Sequence, residues 1–137
     1  MHHKEELTRV IETGNYIVGL RADGIVHVYY KDNTEINVAL QMELLEVFNE
    51  LTGKKKSLFI FEAGHYCSVT KEARENAIIM EPLTPTLASV VFVQNIGYRL
   101  IAEFYYKVNK PIQPYKVVSK FEDGIKWLKS FVEAEAS

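Results

Sequence analysis

The sequence predicts an α/β domain, in which a β-hairpin precedes alternating helices and strands that form a mostly parallel sheet flanked by helices. Three observations carry this expectation. Two β-branched and aromatic runs, Tyr16–Arg21 and Ile25–Tyr30, are joined by Ala22-Asp23-Gly24, residues suited to a tight turn. After residue 37 the hydrophobic pattern switches repeatedly between helical spacing and short apolar runs. Such alternation places parallel strands side by side with helices across their faces. Finally, 137 residues suit one domain, with its core over about 16–132. A chain of this length buries roughly two thirds of its unfolded surface, enough for a core without covalent staples.

Each element has its own signal. In the second hairpin strand Ile25, His27 and Tyr29 share one face and Val26, Val28 and Tyr30 the other, so both faces are largely apolar and a sheet covered on two sides is expected. From about Asn37 to Thr52, Glu43, Glu46 and Glu50 form a polar stripe. Opposite it, Val38, Met42, Leu44, Leu45, Phe48 and Leu51 fill a wide apolar arc, and Gly53 ends the helix. Ser57–Phe61 reads as a buried strand and Glu62–Val69 as a loop. A helix of about Thr70–Met80 follows, capped by Ser68 or Thr70, and Pro82 and Pro85 mark the next loop.

Ala88–Val93 is the candidate central parallel strand, and a helix of about Ile96–Val108 follows it before Pro111 and Pro114. Tyr115–Val118 is a short last strand. Ser119 and Glu122 have capping-box spacing ahead of a final helix that buries Phe121, Ile125, Leu128 and Phe131 or Val132.

Composition narrows the function classes. Sixteen basic and eighteen acidic residues give a formal charge of −2, without the basic field expected of a nucleic-acid binder. Lys54-Lys55-Lys56 reads as a solvated turn after a helix end, where cations are favoured. One cysteine, Cys67, excludes an internal disulfide. The first residues lack the apolar stretch of a signal peptide, and no apolar run reaches the ~20 residues of a transmembrane span. The cytoplasm is the expected compartment.

Candidate sites are few. His65, Tyr66 and Cys67 follow a core strand, where α/β proteins place ligands. A Cys–His pair is catalytic only when a base or a third group raises the thiolate fraction, and no orienting group is evident. Ser68 and Thr70 suit N-capping or phosphate at a helix start. Arg74, one turn on, is placed either to hold an anion or to pair with Glu75. Glu62, ending its strand, is the only acid in a typical site position. Four histidines and one cysteine make no metal spacing, and His2 and His3 read as a frayed start or an expression remnant. No catalytic set, cofactor or metal is expected.

The Ile96–Val108 helix should pack Ile96, Leu100, Phe104 and Val108 on the sheet. Tyr98, Ala102, Tyr105 and Tyr106, with Arg99 at their edge, lie roughly opposite. Tyrosine and arginine are enriched at interface hot spots, and a homodimer is the simplest contact for such a patch. The alternative is that these rings cover the 110–114 loop or the last helix.

Phe59-Ile60-Phe61-Glu62-Ala63-Gly64 leading to Ser68-Val69-Thr70-Lys71-Glu72-Ala73-Arg74, with Val108-Asn109-Lys110-Pro111 and the Phe121–Leu128 segment with its Trp127-Leu128 pair, resembles small bacterial STAS-like domains. The resemblance spans about Tyr16–Val132 and implies the fold of the anti-sigma factor antagonists, which is also compared with the CRAL-TRIO lipid-binding domain. In the antagonists a phosphorylatable Ser opens the helix after the second core strand, preceded by Asp. Ser68 and Thr70 occupy that place here, with Cys67 standing where the Asp would be. The resemblance implies a non-enzymatic module acting in regulation through a protein partner. The alternative is a domain that binds a small apolar or anionic ligand, lipid included, between the 64–69 loop and Arg74.

Overall fold

A computed structural model describes residues 1–95 and 111–136. Eight strands are assigned among them: β1 (Leu7–Glu12), β2 (Tyr16–Arg21), β3 (Val26–Tyr30), β4 (Glu35–Ile36), β5 (Ser57–Ala63), β6 (Ser68–Val69), β7 (Thr86–Phe92) and β8 (Tyr115–Val118). The helices are α1 (Val38–Thr52), α2 (Lys71–Met80) and α3 (Phe121–Ala136). The main sheet runs β1-β2-β3-β5-β7-β8, antiparallel over its first three strands and parallel from β3 onward. The expected hairpin is β2–β3, β5 lies in mid-sheet, and β7 is interior beside it. The interface helix expected over Ile96–Val108, with Tyr98, Arg99, Ala102, Tyr105 and Tyr106, lies outside the described residues.

Local chemistry explains the helix ends. Asn37 caps α1 by accepting from the Leu40 amide, and Gly53 closes it in the left-handed region (φ 62°), where a Cβ would be strained. Thr70 caps α2 by accepting from the Ala73 amide, so the capping role falls to Thr70 and not to Ser68. The start of α3 at Phe121 is one residue later than a Ser119 cap implies.

Two cores flank the sheet. On one face Tyr16, Val18, Val28 and Phe59 pack against Leu40, Leu44 and Phe48 of α1, with Phe48 edge-on to Phe59 at 5.0 Å. α2 is tied to α1 by Gln41, which donates to the Ala73 carbonyl and accepts from the Asn76 amide. On the other face Ile25, Ile60 and Val90 meet Phe121, Ile125 and Leu128 of α3. Gly124 allows that close approach, since a Cβ there would lie 2.8 Å from a Val90 methyl. Phe131 is half-buried on this core, while Val132 is exposed.

α3 sits over β5, β7 and β8. It reaches the β2 and β3 side through Phe121, whose ring stands 5.1 Å from His27 and 5.5 Å from the Arg21 guanidinium carbon. Residues 2 and 3 pack beside that ring. β1 forms the sheet edge next to β2, and residues 2 and 3 reach back to the β5 end and to α3. His2 and His3 are thus docked residues of the fold, contrary to the frayed start expected of them. The pattern Leu7-Thr8-Arg9-Val10-Ile11-Glu12 has no clean alternation, which is why β1 is absent from the sequence reading.

Candidate functional site

The 62–70 segment is more ordered than the loop expected of it. β5 continues to Ala63, and Ser68–Val69 pair in parallel with Glu35–Ile36. Between them the chain is stitched to residues 30–34. Gly64 donates to the Tyr30 carbonyl, His65 to the Asp32 carboxylate at 2.8 Å, and Asn33 to the His65 carbonyl. The Cys67 thiol is 3.1 Å from the Lys31 carbonyl, and burial pushes its pKa up with help from Asp32. A thiol activated for nucleophilic attack needs the opposite shift.

The other residues of this region are brought close, in mixed states. His65 and Tyr66 project outward, Tyr66 being 77% exposed with its backbone left-handed (φ 60°). Ser68 is exposed in β6, Thr70 is engaged as a cap, and Arg74 turns back onto the Val69 carbonyl.

A second cluster is buried on the α3 face of the sheet. His27 is fully buried with Nε2 3.0 Å from Glu62 Oε1. The His2 amide donates to the same oxygen at 3.1 Å, and His2 Nδ1 is bonded to Oε2. Burial opposes a charge on Glu62, but hydrogen bonds from His27 and His2 outweigh it and hold the carboxyl at about 2. Burial also pulls His27 down, against the influence of Glu62. The pair is a carboxylate and a neutral imidazole with Nε2–H donating. Nδ1 is then a buried acceptor, and it has no partner among the described residues.

Beside this pair lies Arg21, 9% exposed. One edge of its guanidinium is taken by Asp23, with Nε 3.2 Å from Oδ1 and Nη2 3.1 Å from Oδ2. Its central carbon stands 5.5 Å from the centre of the Phe121 ring, a cation–π contact. Nη1 is buried without a partner among the described residues. An unmet buried donor costs about 1–3 kcal/mol, and more when charged.

Arg21, Phe121, Ile125, Lys126 and Lys129 line a groove of about 510 Å³, with Glu6 and Glu122 also on its wall. Among the described residues no group of three or more His, Cys, Asp or Glu side chains is placed to hold a metal ion. Each imidazole at Glu62 takes a different oxygen, so the carboxylate bridges two hydrogen-bonding rings.

Sequence reasoning placed Glu62 at a site position but missed its partners. His27 was legible as a lone polar residue on an apolar strand face, two positions from Ile25 and Tyr29. Arg21 ends the strand on that face as well. Nothing local signals that His2 reaches Glu62, because that contact spans 60 positions.

The comparisons with known proteins fit this architecture. Residues 19–132 match the model of a domain of unknown function, DUF7793. The structure is similar to the crystal structure of an uncharacterized protein from the DUF3478 family with a SpoIIAA-like fold, from Shewanella loihica PV-4. That match has a TM-score of 0.58 at 7% identity, covering 86% of this chain and 98% of the other. It establishes the STAS-like fold. No curated protein matches the sequence. No described helix is long and apolar enough to cross a membrane. The chain belongs to the DUF7793 family.

Proposed function

Taking a STAS-like member of the DUF7793 family as the premise, we propose that this chain is a non-enzymatic module that acts in regulation through protein–protein contacts. The observation that carries the reading is the His65–Tyr66 tip, an exposed aromatic raised at the carboxyl end of β3 and β5 on a hydrogen-bonded frame. An exposed tyrosine on a fixed frame offers contact area at small entropic cost. The reactive groups nearby are engaged in structure, the Cys67 thiol and the Thr70 hydroxyl included. Of the two hydroxyls considered for phosphorylation, Ser68 is the accessible one, and its modification would place negative charge beside the tip and close to the α2 start.

The test is a photo-crosslinking residue at position 66 of the full chain in its own cells, with position 55 as control. A discrete adduct at 66 that is absent at 55 and changes with Ser68→Glu supports the reading. Identical adducts at both positions, or none, overturn it. Self-association through Tyr98, Arg99, Ala102, Tyr105 and Tyr106 belongs to the same proposal. Sedimentation of the full chain should give a dimer mass that Tyr98→Asp with Tyr105→Asp halves. A monomer mass for both proteins removes the homodimer.

A second reading, binding of a small apolar or anionic ligand, is favoured by one observation, the incompletely paired Arg21 on the wall of a groove. Native mass spectrometry of gently purified chain, with a thermal-shift panel, tests it. A clean apo mass with no shift across the panel refutes it.

A further inference from the structure

We propose that the outer edge of β8 is a contact surface for a second copy of this chain, the two β8 strands pairing antiparallel about a twofold axis at Val117 to make one continuous sheet. The inference deepens the homodimer reading, on which it rests, by placing a contact of that dimer on the last strand of the sheet. β8 ends the six-stranded sheet, so among the described residues no strand lies on its outer side. The Ser89 amide donates to the Pro114 carbonyl and the Val93 amide to the Val118 carbonyl. Backbone groups alternate along a strand, so positions 114, 116 and 118 face β7, and Val117 turns its amide and carbonyl to the outer edge. Such open groups are a template for pairing with another chain.

Register and charge select a second copy over an unrelated strand. Val118 belongs to the core under α3, so Lys116, two residues earlier, projects on the same face of the sheet. With Val117 set opposite its own equivalent, Lys116 of one copy stands across from Val118 of the other. α3 opens at Phe121, close behind β8, so Asp123 sits at the Val118 end of the strand. Lys116, Val118, Ser119 and Asp123 line one groove, of about 460 Å³, between β8 and α3. Each Lys116 thereby meets Asp123 of the partner, and the twofold axis makes that pair twice. Within one copy neither side chain is in an ion pair among the described residues, so the new pairing breaks no existing bridge. Lys126, also on this wall, has Glu122 four residues before it on α3 and shares the Arg21 groove with it. Trp127 completes the wall, half-buried with its ring 4.7 Å from that of Phe131. In the paired sheet the two grooves merge into one cleft between the α3 helices, and both Trp127 rings lie along the seam, where tryptophan contributes most to association.

The experiment is sedimentation equilibrium of the full chain over a concentration series, giving a dimer Kd for wild type, Lys116→Asp, Asp123→Lys and the double exchange. Both positions are exposed, so the variants keep the core intact, and circular dichroism checks that each is folded. Either single reversal should weaken the dimer about fivefold or more, since the axis counts each change twice. The double exchange restores opposite signs across the seam and should return to within about threefold of wild type. Hydrogen exchange supplies a second readout, in which the Val117 amide should be slower in the dimer than in the dilute monomer. A Kd unmoved by the single reversals, a double exchange as weak as either single, or a Val117 amide that exchanges equally in both states overturns the proposal. A dimer lost with Tyr98→Asp and Tyr105→Asp but indifferent to positions 116 and 123 would refute the edge contact and leave the homodimer standing. A monomer mass for wild type at every concentration would remove both.

Discussion

Replacing Glu62 by Gln should remove a defined share of the acid sensitivity of folding. The folded carboxyl is held at about 2 against an ordinary value of 4.5, because His27 and His2 donate to it more strongly than burial opposes its charge. A depressed folded pKa contributes stability that is present above the unfolded value and lost as pH falls through the folded one. At about 1.4 kcal/mol per pH unit, the 2.5-unit gap is worth about 3.5 kcal/mol in full, of which about 2 kcal/mol disappears between pH 5 and pH 3. Urea unfolding of wild type and Glu62→Gln at both pH values isolates this share. The other depressed acids, Glu12, Asp23 and Glu122, titrate in both proteins and cancel in the difference. His27 works in the opposite direction, because Glu62 raises its pKa against burial, so the variant holds it lower and loses more stability as pH falls below the ordinary 6.5. About 2 kcal/mol is therefore the upper bound on the extra loss of wild type, and a loss greater than the variant's is the expected outcome. Equal losses would show that Glu62 is not held ionised by the two histidines, and the reasoning about the cluster would fail with it.

Three further outcomes follow from the packing. Gly124→Ala should destabilise by about 1–3 kcal/mol in chemical denaturation, although alanine ordinarily favours a helix, because its Cβ would lie 2.8 Å from Val90 and 3.2 Å from Val118 methyls. A gain in stability would mean that α3 stands off the sheet. Thr70→Ala should cost about 1 kcal/mol and Ser68→Ala little, since only Thr70 accepts from an α2 amide. Equal costs would return the cap to an open choice. Cys67 should react with a disulfide reagent more slowly than a free thiol at neutral pH, with a rate that keeps rising where a model thiol levels off, as its raised pKa requires. A faster reaction than free cysteine would reopen nucleophilic catalysis.

The elements that were legible each leave a local mark. The β2–β3 turn, the helical stripe of α1 and the apolar runs of β5 and β7 are set by neighbours within a few positions. The partition of His27 onto one strand face was also legible, but its partner was not. Tyr29, and not His27, stands directly across from Glu62 in the β3–β5 register, so the bond between the two is a diagonal contact that no alternation rule assigns. β1 and the docked N-terminus were invisible for a related reason. Their stability comes from pairing with β2 and from a buried carboxylate 60 residues away, and neither leaves a periodic trace in the strand itself.

The same geometry explains why polar residues gather on only one of the two covered faces. Over β2 and β3, α1 supplies a continuous apolar layer of Leu40, Leu44 and Phe48, and the strand residues facing it are apolar as well. On the opposite face α3 lies over β5, β7 and β8, and a short segment at residues 2 and 3 packs against Glu62, Phe92 and Phe121. Such a segment has too little apolar surface to be held by burial alone, so it is anchored through hydrogen bonds to Glu62 and ring contacts with Phe92 and Phe121. Arg21 lies where that cover ends and the groove begins. Among the described residues α3 is the helix on this face, and beside it stand the buried carboxylate, the docked histidines and a guanidinium whose Nη1 has no described partner.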